Sequence, residues 1–219
     1  MLKKSFLVIG AGRFGKSVAR TLFAAGHDVM VIDKEETLIQ QISNEVTDAI
    51  AADITSETCV KAIGVRDFDA VVLAIGFDVQ ASIMAAILLI EKEAKYIVAK
   101  AQTDLHGKVL EKIGINRVVY PERDMGQKIA RSLIAPTIID MIELSDEYSV
   151  VEVKAPAEMV GKTLLELNLR ARYGVSVIAF RRNSGGKTNI SPVAEDVVEA
   201  NDIIVAIGEN KSLHKLDWV

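Results

Sequence analysis

Several residue types are scarce in this chain of 219 residues, and each scarcity excludes a class of protein. The single cysteine, Cys59, excludes an internal disulfide, and no cysteine or histidine cluster has the spacing of a zinc site. No apolar run reaches the roughly 18 residues of a membrane span. The first strand-like run begins without a signal peptide before it, so we expect a cytoplasmic protein. A net charge of −4 gives no overall basic surface, so we expect no nucleic-acid partner.

Hydrophobic residues, in contrast, make up half of the chain, and because only 5% of all residues are aromatic, most of them are aliphatic. This composition is typical of buried parallel strands and the helices that cover them. Strand-like and helix-like runs alternate in six pairs along more than half of the length. They predict an α/β fold over residues 1–135, a Rossmann-type doubly wound parallel sheet with the strand order 3-2-1-4-5-6. The strand-like runs are FLVIG, VMVID, AIAAD, AVVLAIG, YIVAK and RVVYP.

The pattern changes after residue 120. Apolar residues continue at helical spacing, which predicts a helical connector over residues 136–147. Shorter strand-like and helix-like runs follow, and they predict a small α+β domain over residues 148–219. The sequence therefore predicts two domains with a helix between them.

The stretch VIGAGRFGKSVA, residues 8–19, carries the clearest local motif. Gly10, Gly12 and Gly15 have the G-x-G-x-x-G spacing of a dinucleotide site, placed between a strand-like and a helix-like run. The glycines permit a tight turn and a close approach of a pyrophosphate, which meets the unpaired N–H groups of the helix N-terminus. Asp33 ends the next strand, at the offset of about 20 residues expected for an acceptor of ribose hydroxyls. A glycine turn without a ligand is the alternative.

Three further residues lie where this fold binds ligands. Arg13 falls in the first turn of the helix, where the macrodipole disfavours a cation by about 0.5 kcal/mol, so an anionic group is expected to face it. An arginine that leans into solvent is the alternative. Asp53 and Gly76 follow strands 3 and 4, at the carboxyl ends that form the ligand crevice. Alternatively, Asp53 caps the next helix and Gly76 only turns the chain.

Catalysis finds little support in the sequence. A dehydrogenase needs a proton donor or acceptor near the hydride. Of the three histidines, His27 lies at the amino ends of the strands, His214 lies in the last helix, and only His106 lies on the ligand side. We expect all three to be surface residues, so we expect a protein that senses a nucleotide and is not an enzyme. An NAD-dependent oxidoreductase and a redox-sensing transcription regulator remain the alternative functions.

Longer stretches resemble one known family. VIGAGRFGKSVA, VAKA and VYPERDMG are similar to the nucleotide-binding domain of RCK (KTN) proteins, and GKTLLELNLRARYGVSVIAFRR resembles their C-terminal regulatory domain. The most similar members are TrkA/KtrA-type cytosolic regulatory subunits of potassium transport systems. The resemblance implies a homo-oligomer, a dimer that assembles into a ring of four or eight subunits. It also implies a membrane potassium transporter of the TrkH/KtrB type as partner, with this chain peripheral at the inner face of the cell membrane.

The resemblance also implies ligands and site residues. Family members bind ATP, ADP or NAD(H) in the Rossmann crevice. Arg13 would reach the terminal phosphate of a neighbouring subunit's nucleotide, and Glu122 would help to bind a divalent cation beside that phosphate, unless it is only an acid favoured at a helix start. The predicted cofactor-binding residues are Gly10, Gly12, Arg13, Phe14, Gly15, Asp33, Lys34, Asp53, Ile54, Ile75, Gly76, Lys100 and Glu122.

A second ligand and the assembly concern other parts of the chain. Some relatives bind cyclic di-AMP between two C-terminal domains, for which Arg170, Ile178 and Pro192 are the candidates here; Arg170 as a surface ion-pair partner is the alternative. Residues 83–90, IMAAILLI, are apolar on every face, and residues 129–144 carry more large apolar residues than one face needs. Both predict interfaces between subunits, unless tertiary packing covers them.

Overall fold

The computed structural model describes residues 2–134, 137–182 and 188–216. The chain divides into two compact units, Met1–Arg123 and Asp124–Val219, each of which has its own core. The predicted boundary between residues 135 and 136 lies outside the described residues. None of the helices in the described ranges combines the length and the apolarity that crossing a bilayer requires.

The first unit is built on a parallel sheet. Among the described residues the sheet has six strands in the order β3-β2-β1-β4-β5-β6, and every neighbouring pair is parallel. This confirms the predicted doubly wound fold, in which the strand order reverses between β1 and β4. The strands are β1 (Ser5–Ile9), β2 (Asp28–Asp33), β3 (Asp48–Ala51), β4 (Ala70–Leu73), β5 (Ile97–Lys100) and β6 (Arg117–Val119).

Helices cover both faces of this sheet. Leu7 and Ile9 of β1 belong to one apolar cluster, and Val8 between them belongs to another, because successive side chains of a strand point to opposite faces. Both clusters are buried, which explains why the strands are apolar throughout. The helices are α1 (Arg13–Ala24), α2 (Glu36–Ile42), α3 (Glu57–Ile63), α4 (Val79–Glu91), α5 (Asp104–Lys112) and α6 (Pro121–Ile134), and α6 continues the chain into the second unit.

The second unit is built on an antiparallel sheet. In the described part of the chain its strands have the order β7-β8-β10-β9. One face of the sheet packs on a core that includes Val151, Phe180, Ile204 and Leu213. The elements are β7 (Ile138–Glu143), β8 (Tyr148–Lys154), α7 (Leu164–Leu167), α8 (Leu169–Tyr173), β9 (Ser176–Arg181), β10 (Ile203–Glu209) and α9 (Asn210–His214).

The predicted helical connector over residues 136–147 is wrong. Residues Ile138–Glu143 form strand β7, which pairs with β8 in antiparallel register, with Met141 opposite Val151 and Ile142 opposite Val150. Three of the six residues in β7 are isoleucines, whose branched side chains suit a strand. The pairing with β8, which no local pattern reveals, therefore overrides the helical spacing.

Candidate functional site

A cavity of about 380 Å³ lies in the first unit at the carboxyl ends of its strands. The glycine loop after β1 forms one wall, and the loops after β2, β3 and β4, the end of β5 and the start of α6 form the others. Every predicted cofactor-binding residue except Gly15 lines this cavity. These residues are Gly10, Gly12, Arg13, Phe14, Asp33, Lys34, Asp53, Ile54, Ile75, Gly76, Lys100 and Glu122.

Two glycines of the motif are needed for close packing. Gly10 has a φ of +101°, and a Cβ atom there would lie 2.8 Å from the carbonyl oxygen of Ala74. A Cβ atom on Gly15 would lie 1.8 Å from the carbonyl oxygen of Gly10, which shows how closely α1 approaches the turn. Gly15 therefore allows α1 to pack against the glycine loop. It does not line the cavity, so the prediction that it contacts a ligand finds no support there.

The N-terminus of α1 opens into the cavity. Gly12 is the N-cap residue, and its carbonyl accepts the first helical hydrogen bond from the Lys16 N–H at 2.9 Å. Glycine has no side chain that could accept from the N–H groups of the first turn. A Cβ atom on Gly12 would have no neighbour within 4 Å, so the space beside this backbone is open. The arrangement suits an anionic group such as a pyrophosphate.

Asp33 holds the glycine loop in place. Its Oδ2 atom accepts a hydrogen bond from the Ala11 N–H at 2.6 Å, and its Oδ1 atom accepts from the Glu35 N–H at 2.9 Å. The carboxylate thus ties the turn after β1 to the end of β2. Each oxygen keeps a further lone pair, so acceptance from a ribose hydroxyl is compatible with these bonds. The sequence motif predicts the ribose contact but does not indicate these hydrogen bonds to the Ala11 and Glu35 N–H groups.

Asp53, in the loop after β3, also lines the cavity. It accepts hydrogen bonds from the Thr55 hydroxyl at 2.7 Å and the Thr55 N–H at 2.9 Å, and these bonds lower the pKa of the Asp53 carboxyl. Ser56, not Asp53, is the N-cap residue of α3, so the alternative that Asp53 only caps this helix is wrong. The local loop keeps Asp53 ionised at the cavity wall.

An ion pair forms the remaining wall. The Lys100 ammonium donates to Oε1 of Glu122 at 2.5 Å. Lys100 is buried, whereas the side chain of Glu122 is 67% exposed in the first turn of α6. The hydrogen bond from Lys100 is the main reason for the lowered pKa of Glu122, and the positive charge of Arg13 lowers it further. The sequence predicts both residues near a nucleotide but not their contact.

The predicted divalent cation finds no complete set of protein ligands. Within the described ranges no three histidine, cysteine, aspartate or glutamate side chains gather closely enough to hold a metal ion. Glu122 already has the Lys100 ammonium as its partner. A magnesium ion at Glu122 would have to take its other oxygen ligands from the nucleotide phosphates and from water. The divalent cation at Glu122 therefore stays a prediction.

His106 differs from the expected surface histidine. Its side chain is only 3% exposed, its Nδ1 atom accepts from the Gln102 N–H at 3.3 Å, and burial lowers its pKa. It belongs to α5 but not to the cavity lining. His106 is thus a buried histidine for which the neutral form is favoured, and the expectation that it lies on the surface is wrong.

Three residues of the cavity lining after Gly76 were not predicted from the sequence. Phe77 and Asp78 end the loop between β4 and α4, and Ala81 lies in the first turn of α4. The Asp78 side chain accepts from the Ala81 N–H at 2.8 Å and so caps α4. An aspartate directly before an apolar helical run is a recognised start signal and could have located this cap. No motif points to Phe77, whose side chain is fully exposed.

The predicted interface segments differ in burial. In residues 83–90, Ala85, Ala86, Leu88 and Leu89 are buried by packing within the first unit, whereas Met84 and Ile87 stay exposed. Residues 129–144 instead keep large apolar side chains exposed, namely Ile129, Leu133, Ile134, Ile139, Ile142 and Leu144. The second segment therefore offers the broader apolar surface to a partner.

Comparison with known proteins identifies both units. The TrkA-N domain family model matches residues 6–121, and the TrkA-C domain family model matches residues 148–217. Ktr system potassium uptake protein C of Bacillus subtilis (strain 168) is 39% identical over 216 residues, which cover 99% of this chain and 97% of the relative. Ktr system potassium uptake protein A of Vibrio alginolyticus is 34% identical over 214 residues, with coverage of 97% and 96%.

Solved structures agree with the fold. The GsuK channel bound to NAD matches with a TM-score of 0.70 at 18% identity, over 99% of this chain. This chain spans only 39% of that channel chain. At this identity the likeness supports the Rossmann-type fold of the first unit and the small second domain, while the sequence relatives carry the assignment. The chain therefore belongs to the RCK (KTN) family, among the TrkA/KtrA-type proteins of potassium uptake systems.

Proposed function

We propose that this chain is a nucleotide-binding regulatory subunit that gates a separate membrane potassium transporter. The observation that carries the proposal is the cavity at the carboxyl ends of the parallel strands, where the glycine loop, Asp33 and the N-terminus of α1 converge. It occurs in a chain that is 39% identical to Ktr potassium uptake proteins. Nucleotide binding in the cavity changes the conformation of an oligomeric ring, and the ring acts on the transporter.

The cavity accommodates the parts of a nucleotide in order. The pyrophosphate lies against Gly12 and the first turn of α1, because this backbone is open and electropositive. The ribose hydroxyls lie beside Asp33. The base lies among apolar side chains of the cavity lining, which include Leu38, Ile54 and Ile75.

ATP, ADP and NAD(H) are the candidate ligands. Among the solved structures with a similar fold, GsuK has been captured both with NAD and with ADP. A terminal phosphate distinguishes ATP, and Arg13 is the residue that would detect it from a neighbouring subunit. Arg13 is exposed at the rim of the cavity, which leaves its guanidinium accessible to such a neighbour.

Regulation without catalysis fits the chemistry of the cavity. Two of the titratable groups that line the cavity, Lys100 and Glu122, are engaged with each other, and His106 lies outside the lining. A hydride transfer would need a group that is free to exchange a proton with substrate. An NAD-dependent oxidoreductase therefore stays the weaker alternative, and turnover of NADH would reveal it.

The partner and the location follow from the same assignment. We propose a homo-oligomeric ring that docks on a TrkH/KtrB-type transporter at the inner face of the cell membrane. The exposed apolar residues of α6 and β7, which include Ile129 and Leu133, support contacts between copies. Ion pairs of Lys128 with Asp140 and of Arg131 with Glu143 fix the polar side of α6 to β7.

Cyclic di-AMP is a second proposed ligand, bound between two copies of the second unit. The candidates are Arg170, exposed on α8, Ile178, partly exposed on β9, and the nearby Pro192. Arg170→Ala should abolish saturable binding of cyclic di-AMP in a calorimetric titration. Failure of the wild-type protein to bind at high micromolar ligand would remove this site without affecting the first proposal.

The main proposal is tested in two steps. Calorimetric titration of the pure protein with ATP, ADP, NAD and NADH should give saturable binding for at least one of them. Potassium flux into vesicles that contain a Ktr-type membrane subunit should then depend on this protein and on which nucleotide is present. Binding without any effect on flux would contradict gating, and steady turnover of NADH would favour the enzyme.

A further inference from the structure

Phe77 is the most exposed large hydrophobic side chain in the described part of the chain. All of its side chain is accessible to solvent, whereas large apolar side chains are usually at least partly buried. Aromatic residues make up only 5% of the chain. It also lines the cavity, next to Gly76 and Asp78. A single exposed apolar residue needs no explanation by itself, but one at the rim of a ligand cavity has a potential partner.

The loop that presents Phe77 is fixed on both sides. Before it, the Ala74 N–H donates to the Ile9 carbonyl at 2.7 Å, which continues the sheet beyond β4. After it, the Asp78 carboxylate accepts from the Ala81 N–H at 2.8 Å and caps α4. The exposed ring is thus carried by a short segment with anchored ends, and not by a free terminus.

The cavity offers a matching environment for a planar ring. Phe77 and Phe14 are the aromatic residues among the described side chains that line it. Ile75 and Ala81, on either side of Phe77 in sequence, also line the cavity and add apolar surface. Aromatic side chains bind bases by stacking, and this contact removes apolar area of both rings from water.

We propose that Phe77 stacks on the base of the nucleotide bound in this cavity. This inference rests on the proposed nucleotide-binding function and deepens it, because it assigns the base-binding contact to a residue outside the glycine motif. The contact depends on the planar base and not on the number of phosphates. Phe77 therefore contributes to the affinity for ADP, ATP and NAD alike, whereas Arg13 distinguishes ATP from the others.

The test measures ADP affinity of the full-length protein with Phe77 replaced by alanine, leucine or tyrosine. Stacking is worth about five- to a hundredfold in affinity, so Phe77→Ala should weaken ADP by a factor in this range. Phe77→Tyr should keep most of the affinity, and Phe77→Leu should lose more than tyrosine does. Phe23→Ala is the matched control, because Phe23 is a 41% exposed phenylalanine of α1 outside the cavity lining.

Two further measurements separate stacking from other roles. The fluorescence of etheno-ADP, an ADP with a modified adenine ring, should be quenched on binding to the wild type and much less on binding to Phe77→Ala. Inorganic pyrophosphate, which has no base, should bind both proteins equally. Light scattering without nucleotide should give both proteins the same oligomeric state, because the phenyl group of Phe77 contacts the ligand and not a neighbouring subunit.

The outcomes distinguish this inference from the proposed function. If the wild type binds none of the nucleotides, the proposed function fails and the stacking role fails with it. If the wild type binds ADP and Phe77→Ala binds it equally well, only the stacking role is overturned. In a third outcome, the Phe77→Ala oligomer dissociates into smaller species, and its affinity for pyrophosphate falls as much as its affinity for ADP. Phe77 would then be an interface residue, which also overturns the inference.

Discussion

The two units of the chain expose different parts of their sheets. In β1 of the first unit, successive residues belong to two separate buried clusters, so helices cover both faces of the parallel sheet. In β8 of the second unit, Ser149, Val151 and Val153 are buried, and the residues between them are only half-buried. A doubly covered sheet leaves its strand ends as the place for a ligand, whereas a sheet with one open face leaves a surface for partners.

Helix α6, which continues the chain from the first unit into the second, also leaves a surface for partners. No residue of α6 is buried within the described chain, and Met125, Ile129 and Leu133 recur at a spacing of four along it. This spacing places the three side chains on one helical face. We therefore propose that the ligand binds in the first unit and that apolar contacts between copies involve the second, and four predictions, most of them on the first unit, sharpen this contrast.

The largest effect is expected for Gly15→Ala. The added Cβ would overlap the backbone oxygen of Gly10, so α1 must move away from the glycine loop. We expect a loss of about 3 kcal/mol in the free energy of unfolding of the first unit, and no measurable ADP binding. Hydrogen exchange should show loss of protection in β1 and β2 but not in β8 and β10.

Gly12→Ala is the control for this substitution. Nothing lies within 4 Å of its added Cβ, so stability should change by less than about 0.5 kcal/mol while nucleotide affinity falls. Equal destabilisation by the two variants would show that close packing at Gly15 does not hold the site together.

Arg13→Ala should produce the next largest effect. A charge-assisted contact with a terminal phosphate contributes about 1.5–3 kcal/mol, so ATP should weaken roughly ten- to a hundredfold while ADP and NAD change much less. Calorimetric titrations with all three ligands make the comparison. Equal losses for ATP and ADP would contradict a contact from the neighbouring subunit, and no loss at all would indicate a solvated arginine.

A smaller change in affinity is expected at Asp33 when the ligand is changed and the protein is not. A 2′-phosphate on the ribose would lie beside its carboxylate, and like charges in contact cost enough to weaken binding about tenfold or more. NADP should therefore bind more weakly than NAD to the wild-type protein. Comparable or tighter binding of NADP would remove Asp33 from the ribose site, although its bond to the Ala11 N–H would remain.

The smallest effect concerns the titration of Glu122. The ammonium of Lys100 lowers its pKa, so the stabilisation from this pair is present above the ordinary glutamate pKa of about 4.3 and disappears as the pH falls through the lowered value. Lys100→Met should raise the pKa of Glu122, which carboxyl NMR shifts can follow.

Lys92→Met supplies the matched control for this titration. Lys92 pairs with Glu57 on the surface and lowers the pKa of that carboxyl in the same way. The control should raise the pKa of Glu57 and leave that of Glu122 unchanged. A pKa of Glu122 that does not respond to Lys100→Met would show that the pair is absent in solution.

Much of the first unit could be predicted from sequence because its signals are local. Six apolar strands, each followed by a helix, define the parallel sheet, and right-handed crossovers leave few possible strand orders. The residues at the strand ends then meet at one edge, so Asp33, Asp53 and Gly76 could be assigned to one cavity. The fold and the outline of the site therefore follow from the pattern.

The errors concern contacts between distant segments. Residues 138–143 form β7 because β8 pairs with them, and the helical spacing of their apolar residues could not reveal that partner. The contact between Lys100 and Glu122 and the burial of His106 likewise depend on how β5, α5 and α6 pack. Phe77 has no motif, so only its position at the cavity rim reveals it.

Hydrogen–deuterium exchange of the full-length protein, with and without ADP, tests most directly whether the nucleotide binds in the first unit. We predict that ADP protects residues 10–16, 53–55 and 75–81 most strongly, since these segments surround the cavity. Residues 148–154 and 203–209 should show smaller changes. Saturable ADP binding with the strongest protection in those two strands of the second unit would contradict the assignment of the nucleotide to the first.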